Sequence, residues 1–227
     1  MELTILMPCL NEAATLPVCI NKAKSFLGEN NIDGEILIAD NGSTDGSVDI
    51  AKESGARVII VPEKGYGSAL MTGIRESSGE FVIMGDSDDS YDLKNLMPFL
   101  EKLRDGNDLV IGNRFRGGIG KGAMPFLHRV FGNPFLSFVG RKRYKCDIGD
   151  FNCGLRGFRR DSILSLGLET KGMEFACEMI AKSCIRGLKI TEIPTPLKKD
   201  GRGRPSHLRS FSDGWKQFVL LIKGKGK

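Results

Sequence analysis

Apolar residues in the first half of the chain fall in short β-branched runs separated by stretches of helical spacing, the pattern of parallel strands joined by crossover helices. The runs are Leu3–Met7, Glu35–Ala39, Arg57–Val61, Phe81–Met84 and Asp108–Ile111. Helical spacing is clearest at Leu93, Leu96, Met97, Leu100 and Leu103, which share one face. The expected fold is α/β, a Rossmann-like, open, mostly parallel sheet with helices on both faces. Ligands in such sheets bind beyond the carboxyl ends of the strands, so the loops that follow the strands are where chemistry is expected.

After Gly112 the rhythm changes. A glycine-rich basic loop containing Gly117, Gly118, Gly120 and Gly122 leads into Pro125–Val139, an apolar stretch with four phenylalanines broken by His128 and Arg129. This stretch reads either as a core helix or as a helix lying on a membrane surface with arginines at the headgroups. Beyond it a strand is expected near Leu155–Phe158, then a helix with Met173, Ala176, Cys177, Ile180 and Cys184 on one face, then a strand over Lys189–Ile193. The chain closes with a basic loop and an amphipathic segment around Trp215–Ile222, and residues 211–227 are set apart from 1–210 on that ground.

Composition adds the class. With 41% hydrophobic and 27% charged residues, the chain has the make-up of an ordinary globular protein. No run of 18 apolar residues occurs and Met1-Glu2 leads directly into a strand-like run, so neither a spanning helix nor a secretion signal is expected. Cys9, Cys19, Cys146, Cys153, Cys177 and Cys184 form no CxxC pair and read as reduced thiols, which points to the cytoplasm. The net charge of +5 hides an asymmetry: residues 114–145 carry +8 and residues 196–227 carry +7, leaving −10 for the remainder. Such basic regions attract phosphorylated molecules, nucleic acid or an anionic membrane. Only 7% of residues are aromatic, few of them in the basic loops, so a stacking groove for nucleic acid is not expected.

Three polar strings occupy the loops at the expected sheet edge. Gly85–Asp92, GDSDDSYD, follows the strand Phe81–Met84. Residues two apart in extended chain point the same way, so Asp86 and Asp88 project together with only Ser87 between them. Two convergent carboxylates suit a hard divalent cation, Mg²⁺ or Mn²⁺, which completes its shell with water and phosphate oxygens. An EF-hand loop does not fit, because Tyr91 stands where glycine is needed and Met97 where the bidentate glutamate belongs. Asp40–Ser47, DNGSTDGS, ends a strand and opens a helix; its residues suit turns and caps, and Asp40 is placed to accept from a base or ribose. Pro8–Glu12, PCLNE, holds the corresponding place after the first strand.

Other motifs fail. Gly65-Tyr66-Gly67 begins like a dinucleotide fingerprint, but Leu70 stands at its last small position, and Gly120-Lys121 is preceded by Phe115 where a phosphate-binding loop needs glycine. With His128 and His207 the only histidines, zinc and serine-triad chemistry are not expected.

Together PCLNE, DNGSTDGS, GDSDD, GNRF at Gly112–Phe115 and GDFNCGLRGFRRD at Gly149–Asp161 resemble the family 2 glycosyltransferases, above all the dolichyl- or polyprenyl-phosphate sugar synthases. The likeness runs from about Leu3 to Leu208. It implies a GT-A fold for a catalytic domain over 1–210, a UDP- or GDP-sugar donor, Mg²⁺ or Mn²⁺, and inversion at the anomeric carbon. It further implies donor contacts from Pro8, Glu12 and Asp40, a metal and diphosphate site at Asp86, Ser87 and Asp88, and a donor contact from Arg114. Asp150 matches the catalytic base, Arg156 a group in the acceptor loop, and Arg202, Arg204, Ser206 and His207 a basic acceptor-phosphate loop. A polyprenyl phosphate and an anionic membrane surface, met from the cytoplasmic side, are the expected partners. Many relatives carry a transmembrane tail, and no such segment occurs before Lys227. The alternatives are a soluble sugar or glycan acceptor, or a sugar nucleotidyltransferase, which releases pyrophosphate instead.

Overall fold

In chain order the first half of the protein contains β1 (Leu3–Cys9), α1 (Leu16–Glu29), β2 (Gly34–Asp40), α2 (Ser47–Glu53), β3 (Arg57–Ile60), α3 (Tyr66–Glu76) and β4 (Phe81–Met84). Next come α4 (Met97–Arg104), β5 (Leu109–Asn113), the short α5 (Arg114–Gly117), and a π-helical turn (His128–Gly132) that runs into α6 (Asn133–Tyr144). The last elements are β6 (Arg156–Arg159), α7 (Arg160–Leu164), α8 (Phe175–Ile185), β7 (Ile190–Pro194) and α9 (Ser210–Lys223). This is a computed structural model, and it describes residues 1–203 and 210–224.

The strands form one sheet in the order β3-β2-β1-β4-β6-β5-β7. All neighbours are parallel except β6, which runs antiparallel to both β4 and β5. The open, mostly parallel α/β sheet expected from the hydrophobic pattern is therefore present. Its central strands read as near-continuous apolar runs because parallel strands are covered by their crossover helices. Accordingly β4 is buried throughout, and β1 at every position but Pro8. Helix α3 packs on β1 and β2, and α4 on β4, β5 and β6.

Two expectations change. The helix read from Leu93 onward starts only at Met97, with Pro98 in its first turn, where a missing N–H costs nothing. Leu93 and Leu96 are buried all the same, in the turn that carries the chain down from the GDSDDSYD loop. The core reading of Pro125–Val139 is overturned. Phe126, Leu127, Val130, Phe131 and Phe138 are each half or more exposed, and α6 buries only Leu136, Ser137 and Gly140.

The exposed face continues onto α9, which packs on α6 and α8. Phe131 stacks on Phe135 at 5.6 Å between centroids, Phe135 on Phe218 at 5.8 Å, and Trp215 leans on Phe218 at 5.7 Å. Leu221 and Gln217 are buried in the same seam, so the 211–224 part of the C-terminal segment is docked on the sheet-bearing body. Among the described residues no helix is long and apolar enough to cross a membrane.

Candidate functional site

The carboxyl ends of β2, β1 and β4 lie side by side, which brings the three polar loops onto one edge of the sheet. Their hydrogen bonds show that much of the DNGSTDGS string is there to knit. Ser43 Oγ accepts from the Asn11 amide at 2.8 Å, Ser47 Oγ from the Glu12 amide at 2.9 Å, and Asp45 from the Ala13 amide at 3.1 Å. In return Asn11 Oδ1 accepts from the Thr44 amide at 2.7 Å. The third loop is tied in by Ser87 Oγ, which donates to Pro8 O at 2.8 Å, and by Thr15 Oγ1, which donates to Ser87 O at 2.7 Å. Asn11 and Asp89 sit in the left-handed region, at φ 58° and 62°, which their side-chain types tolerate better than most.

These loops enclose a cavity of about 360 Å³ whose lining includes Pro8, Glu12, Asn41, Lys64, Tyr66, Asp86, Ser87, Asp88, Gly172, Met173, Arg202 and Asp213. Asp86 Oδ1 accepts from Tyr66 OH at 3.1 Å. Burial, and then the neighbouring Asp88 charge, push the Asp86 carboxyl up to about 7. Asp88 Oδ1 caps the Ser90 amide at 3.0 Å, and its Oδ2 lies 3.1 Å from Arg202 Nη2. The same guanidinium stands 3.4 Å from Glu12 Oε1 and 3.4 Å from Asp200 Oδ1. A segment anchored by Lys198 N on Ser90 O and by Gly201 N on Asp88 O, both at 2.9 Å, holds Arg202 there.

Asp40 is buried beneath this cavity and does not line it. Its Oδ2 accepts from the amides of Gly42 and Ser43 at 2.9 and 3.1 Å, while its Oδ1 is buried with no hydrogen-bond partner among the described residues. Asn41 reaches the cavity and is braced by Gly65 N and by the carbonyls of Val61 and Glu63.

Asp150, Arg114 and Arg156 form a second cluster that does not line the cavity. Arg114 Nε and Nη2 grip the Asp150 carboxylate at 2.7 and 2.8 Å, and the amides of Arg114 and Asn152 add bonds at 3.1 and 3.2 Å. Arg156, the first residue of β6, is fully buried and donates to the carbonyls of Cys153, Ala176 and Phe151 at 2.8, 2.7 and 2.8 Å. It ties the 150–154 loop to the first turn of α8.

Residues 4–167 match the family described as Glycosyl transferase family 2. The chain belongs to this family. It is 38% identical over 221 residues to the low-salt glycan biosynthesis hexosyltransferase Agl6 of Haloferax volcanii, a match covering 97% of this chain but only 53% of that longer protein. It is 31% identical to the dolichyl-phosphate hexose transferase of the same organism, over 79% of this chain and 76% of the relative. Among solved structures, glucosyl-3-phosphoglycerate synthase from Mycobacterium tuberculosis in complex with Mn²⁺, UDP and glucosyl-3-phosphoglycerate superposes with a TM-score of 0.74 at 23% identity, covering 98% of this chain and 79% of that one. At that identity the likeness speaks for the fold alone.

Within this family 2 glycosyltransferase the residues singled out in the sequence separate into three groups. Pro8, Glu12, Asp86, Ser87, Asp88 and Arg202 converge on the cavity. Asp40 lies just outside it. Of the residues expected to touch donor or acceptor, Arg114 and Asp150 pair with each other and Arg156 bonds backbone carbonyls, because a buried charge left unpaired is costly. In this arrangement they position the 149–154 loop. Arg204, Ser206 and His207 lie outside the described residues. Sequence reasoning missed Tyr66, Lys64 and Gly172-Met173. The Gly65-Tyr66-Gly67 string was the available signal: a Cβ at Gly67 would meet Thr170 O at 2.3 Å, so the glycine lets the 170–174 loop close on α3 while Tyr66 reaches Asp86.

A divalent cation fits the carboxylates present. Burial, and then the neighbouring Asp88 charge, raise Asp86, and the bare backbone of Gly154 leaves room beside it, since a Cβ there would stand 2.5 Å from Asp86 Oδ2. Among the described residues no three acidic, His or Cys side chains gather at one point, so a cation here would rest on two carboxylates and draw its other ligands from water and phosphate, as Mg²⁺ and Mn²⁺ do. A second cavity, of about 420 Å³, lies between the 166–170 loop and the ends of α8 and α9. Its buried Glu178 is satisfied by Thr170, two amides and Lys182.

Proposed function

We propose that the protein transfers a hexose, with inversion, from a UDP- or GDP-linked donor held with Mn²⁺ or Mg²⁺ at Asp86 and Asp88 to a polyprenyl phosphate presented at the cytoplasmic face of a membrane. The observation that carries this reading is the cavity, which combines paired carboxylates, Lys64 and Arg202 at the carboxyl edge of an α/β sheet. When bound, the cation supplies charge neutralisation for the departing diphosphate. The chain's own part is to hold the donor: Asn41 and Pro8 on the nucleoside side, Tyr66 steadying Asp86, and Arg202 leaving Asp88 for a phosphate oxygen. Asp40 contributes from below, its unpaired oxygen serving the nucleoside or the loop that holds it.

The acceptor half draws on the names of the relatives, a hexosyltransferase of glycan biosynthesis and a dolichyl-phosphate hexose transferase. Chemistry supports it too. A phosphate monoester loses its second proton near pH ~6, so at neutral pH it attacks without a base, which suits a site whose Asp150 is engaged by Arg114. The exposed aromatic face of the π-turn, α6 and α9, flanked by Arg129, Lys142, Arg143 and Lys216, offers a surface for anionic lipid. A soluble phosphorylated acceptor is the second reading, because Lys64 and Arg202 in the cavity would serve its phosphate as well. The test is a transfer assay with UDP-glucose and GDP-mannose in Mn²⁺, offering undecaprenyl phosphate in vesicles in one arm and phosphoglycerate in the other. Sugar appearing in the lipid phase supports the proposal; sugar appearing only on phosphoglycerate replaces its acceptor half.

A further inference from the structure

We infer that helices α6 and α9 join the aromatic face to the donor cavity, so that anionic lipid and nucleoside diphosphate each strengthen the binding of the other; the inference rests on the donor site and the membrane surface proposed above. Helix α9 has two faces. Phe211, Trp215 and Ile222 are exposed on one, and Phe218 between them stacks on Phe135 of α6. Asp213, Gln217 and Leu221 stand four apart in sequence and so share the other. Asp213 lines the donor cavity, while Gln217 and Leu221 are buried. Gln217 Nε2 donates to Met173 O at 3.4 Å, and Met173 lines the same cavity. One helix thus carries rings suited to lipid on one side and part of the cavity wall on the other.

Helix α6 makes a second connection. Its Phe138 is exposed, and its inner side holds the 150–154 loop. Ser137 Oγ accepts from the Phe151 amide at 3.1 Å, and Asn133 Oδ1 accepts from Asn152 Nδ2 at 3.0 Å. Gly140 lets the Phe151 ring come close, since a Cβ there would stand 2.5 Å from it. The loop ends at Gly154, beside Asp86. The two helices are tied to each other by Tyr144 OH, which donates to Leu221 O at 3.1 Å, as well as by the Phe135–Phe218 stack. Gln217 and Leu221 are the fully seated part of α9 among the described residues, a seat small enough for the helix position to respond to a ligand. A ligand shifts such an equilibrium by its differential affinity for the two arrangements, and two ligands that prefer the same one reinforce each other by equal factors. Lipid prefers the docked pair, which gathers the rings with Arg129, Lys142, Arg143 and Lys216 into one surface. The nucleotide prefers it because docking completes the cavity wall.

The experiment measures binding of UDP and GDP in Mn²⁺ by calorimetry without vesicles, with phosphatidylcholine vesicles, and with vesicles that also contain phosphatidylglycerol. Co-sedimentation with the same vesicles is measured without nucleotide and at saturation. The expected result is that nucleotide affinity rises about fivefold with the anionic vesicles alone, and that vesicle affinity rises by the same factor with nucleotide. The double variant Phe211→Ser/Trp215→Ser should bind nucleotide like the wild type in vesicle-free buffer and lose the rise. Gln217→Met, which keeps the side chain's size and removes its donor, should bind both ligands with a smaller factor. Equal nucleotide affinities with and without vesicles, in a wild type that binds both, overturn the inference, as does a full rise in either variant. A wild type that ignores anionic vesicles overturns the membrane reading, and one that binds neither nucleotide overturns the donor reading, each taking this inference with it.

Discussion

Asp88 divides its carboxylate between the Ser90 amide and the Arg202 guanidinium, so its charge is met from two sides. Asp88→Ala is expected to abolish Mn²⁺-dependent binding of nucleoside diphosphate, read by calorimetry with and without EDTA; undiminished metal-dependent binding rejects the assignment. Gly154→Ala probes the same point from the other side. The added Cβ would lie 2.5 Å from Asp86 Oδ2, so Mn²⁺ affinity should fall while the protein stays folded, at a packing cost of about 1–3 kcal/mol. Arg114→Ala tests the buried pair. It leaves Asp150 at 0% exposure without its bidentate partner, and the expected loss is about 3–5 kcal/mol in urea unfolding. Activity lost in Asp150 variants must therefore be measured beside stability before any of it is assigned to proton transfer.

Helices α6 and α9 show what an element's periodicity states and what it leaves open. The apolar run over Pro125–Val139 was legible as helix, but the same run serves a core or a membrane face, and the structure turns most of it outward. Phe211 and Trp215 are 92% and 65% exposed, so replacing both with Ser should leave the melting temperature nearly unchanged and still weaken co-sedimentation with vesicles containing anionic lipid. A large fall in melting temperature would show instead that these rings pack in the fold. At α4 the apolar spacing extended past the helix itself, because Leu93 and Leu96 are buried from a turn and periodicity records burial before it records backbone conformation.

Across the whole molecule the described parts of the two basic segments touch where α9 packs on α6 and where Gly120 N donates to Leu197 O, although part of their charge is used internally by Arg114 and Arg202. The exposed remainder predicts vesicle binding that weakens as salt rises from about 0.05 to 0.5 M, since each surface cation contributes only about 1 kcal/mol and is screened. Binding indifferent to salt would leave the aromatic face as the sole contact. The sequence by itself determined most of the strands, a mostly parallel sheet, the three polar loops at one sheet edge, the aspartate pair and the family. These are local signals: alternation, helical spacing, and short strings at strand ends. Only the tertiary structure decided that Asp150 is held by Arg114, 36 residues away, that Tyr66 steadies Asp86 across 20 residues, and that Arg202 closes on Asp88. Which partner satisfies a buried charge depends on where the folded chain brings distant residues, and no local pattern encodes that distance.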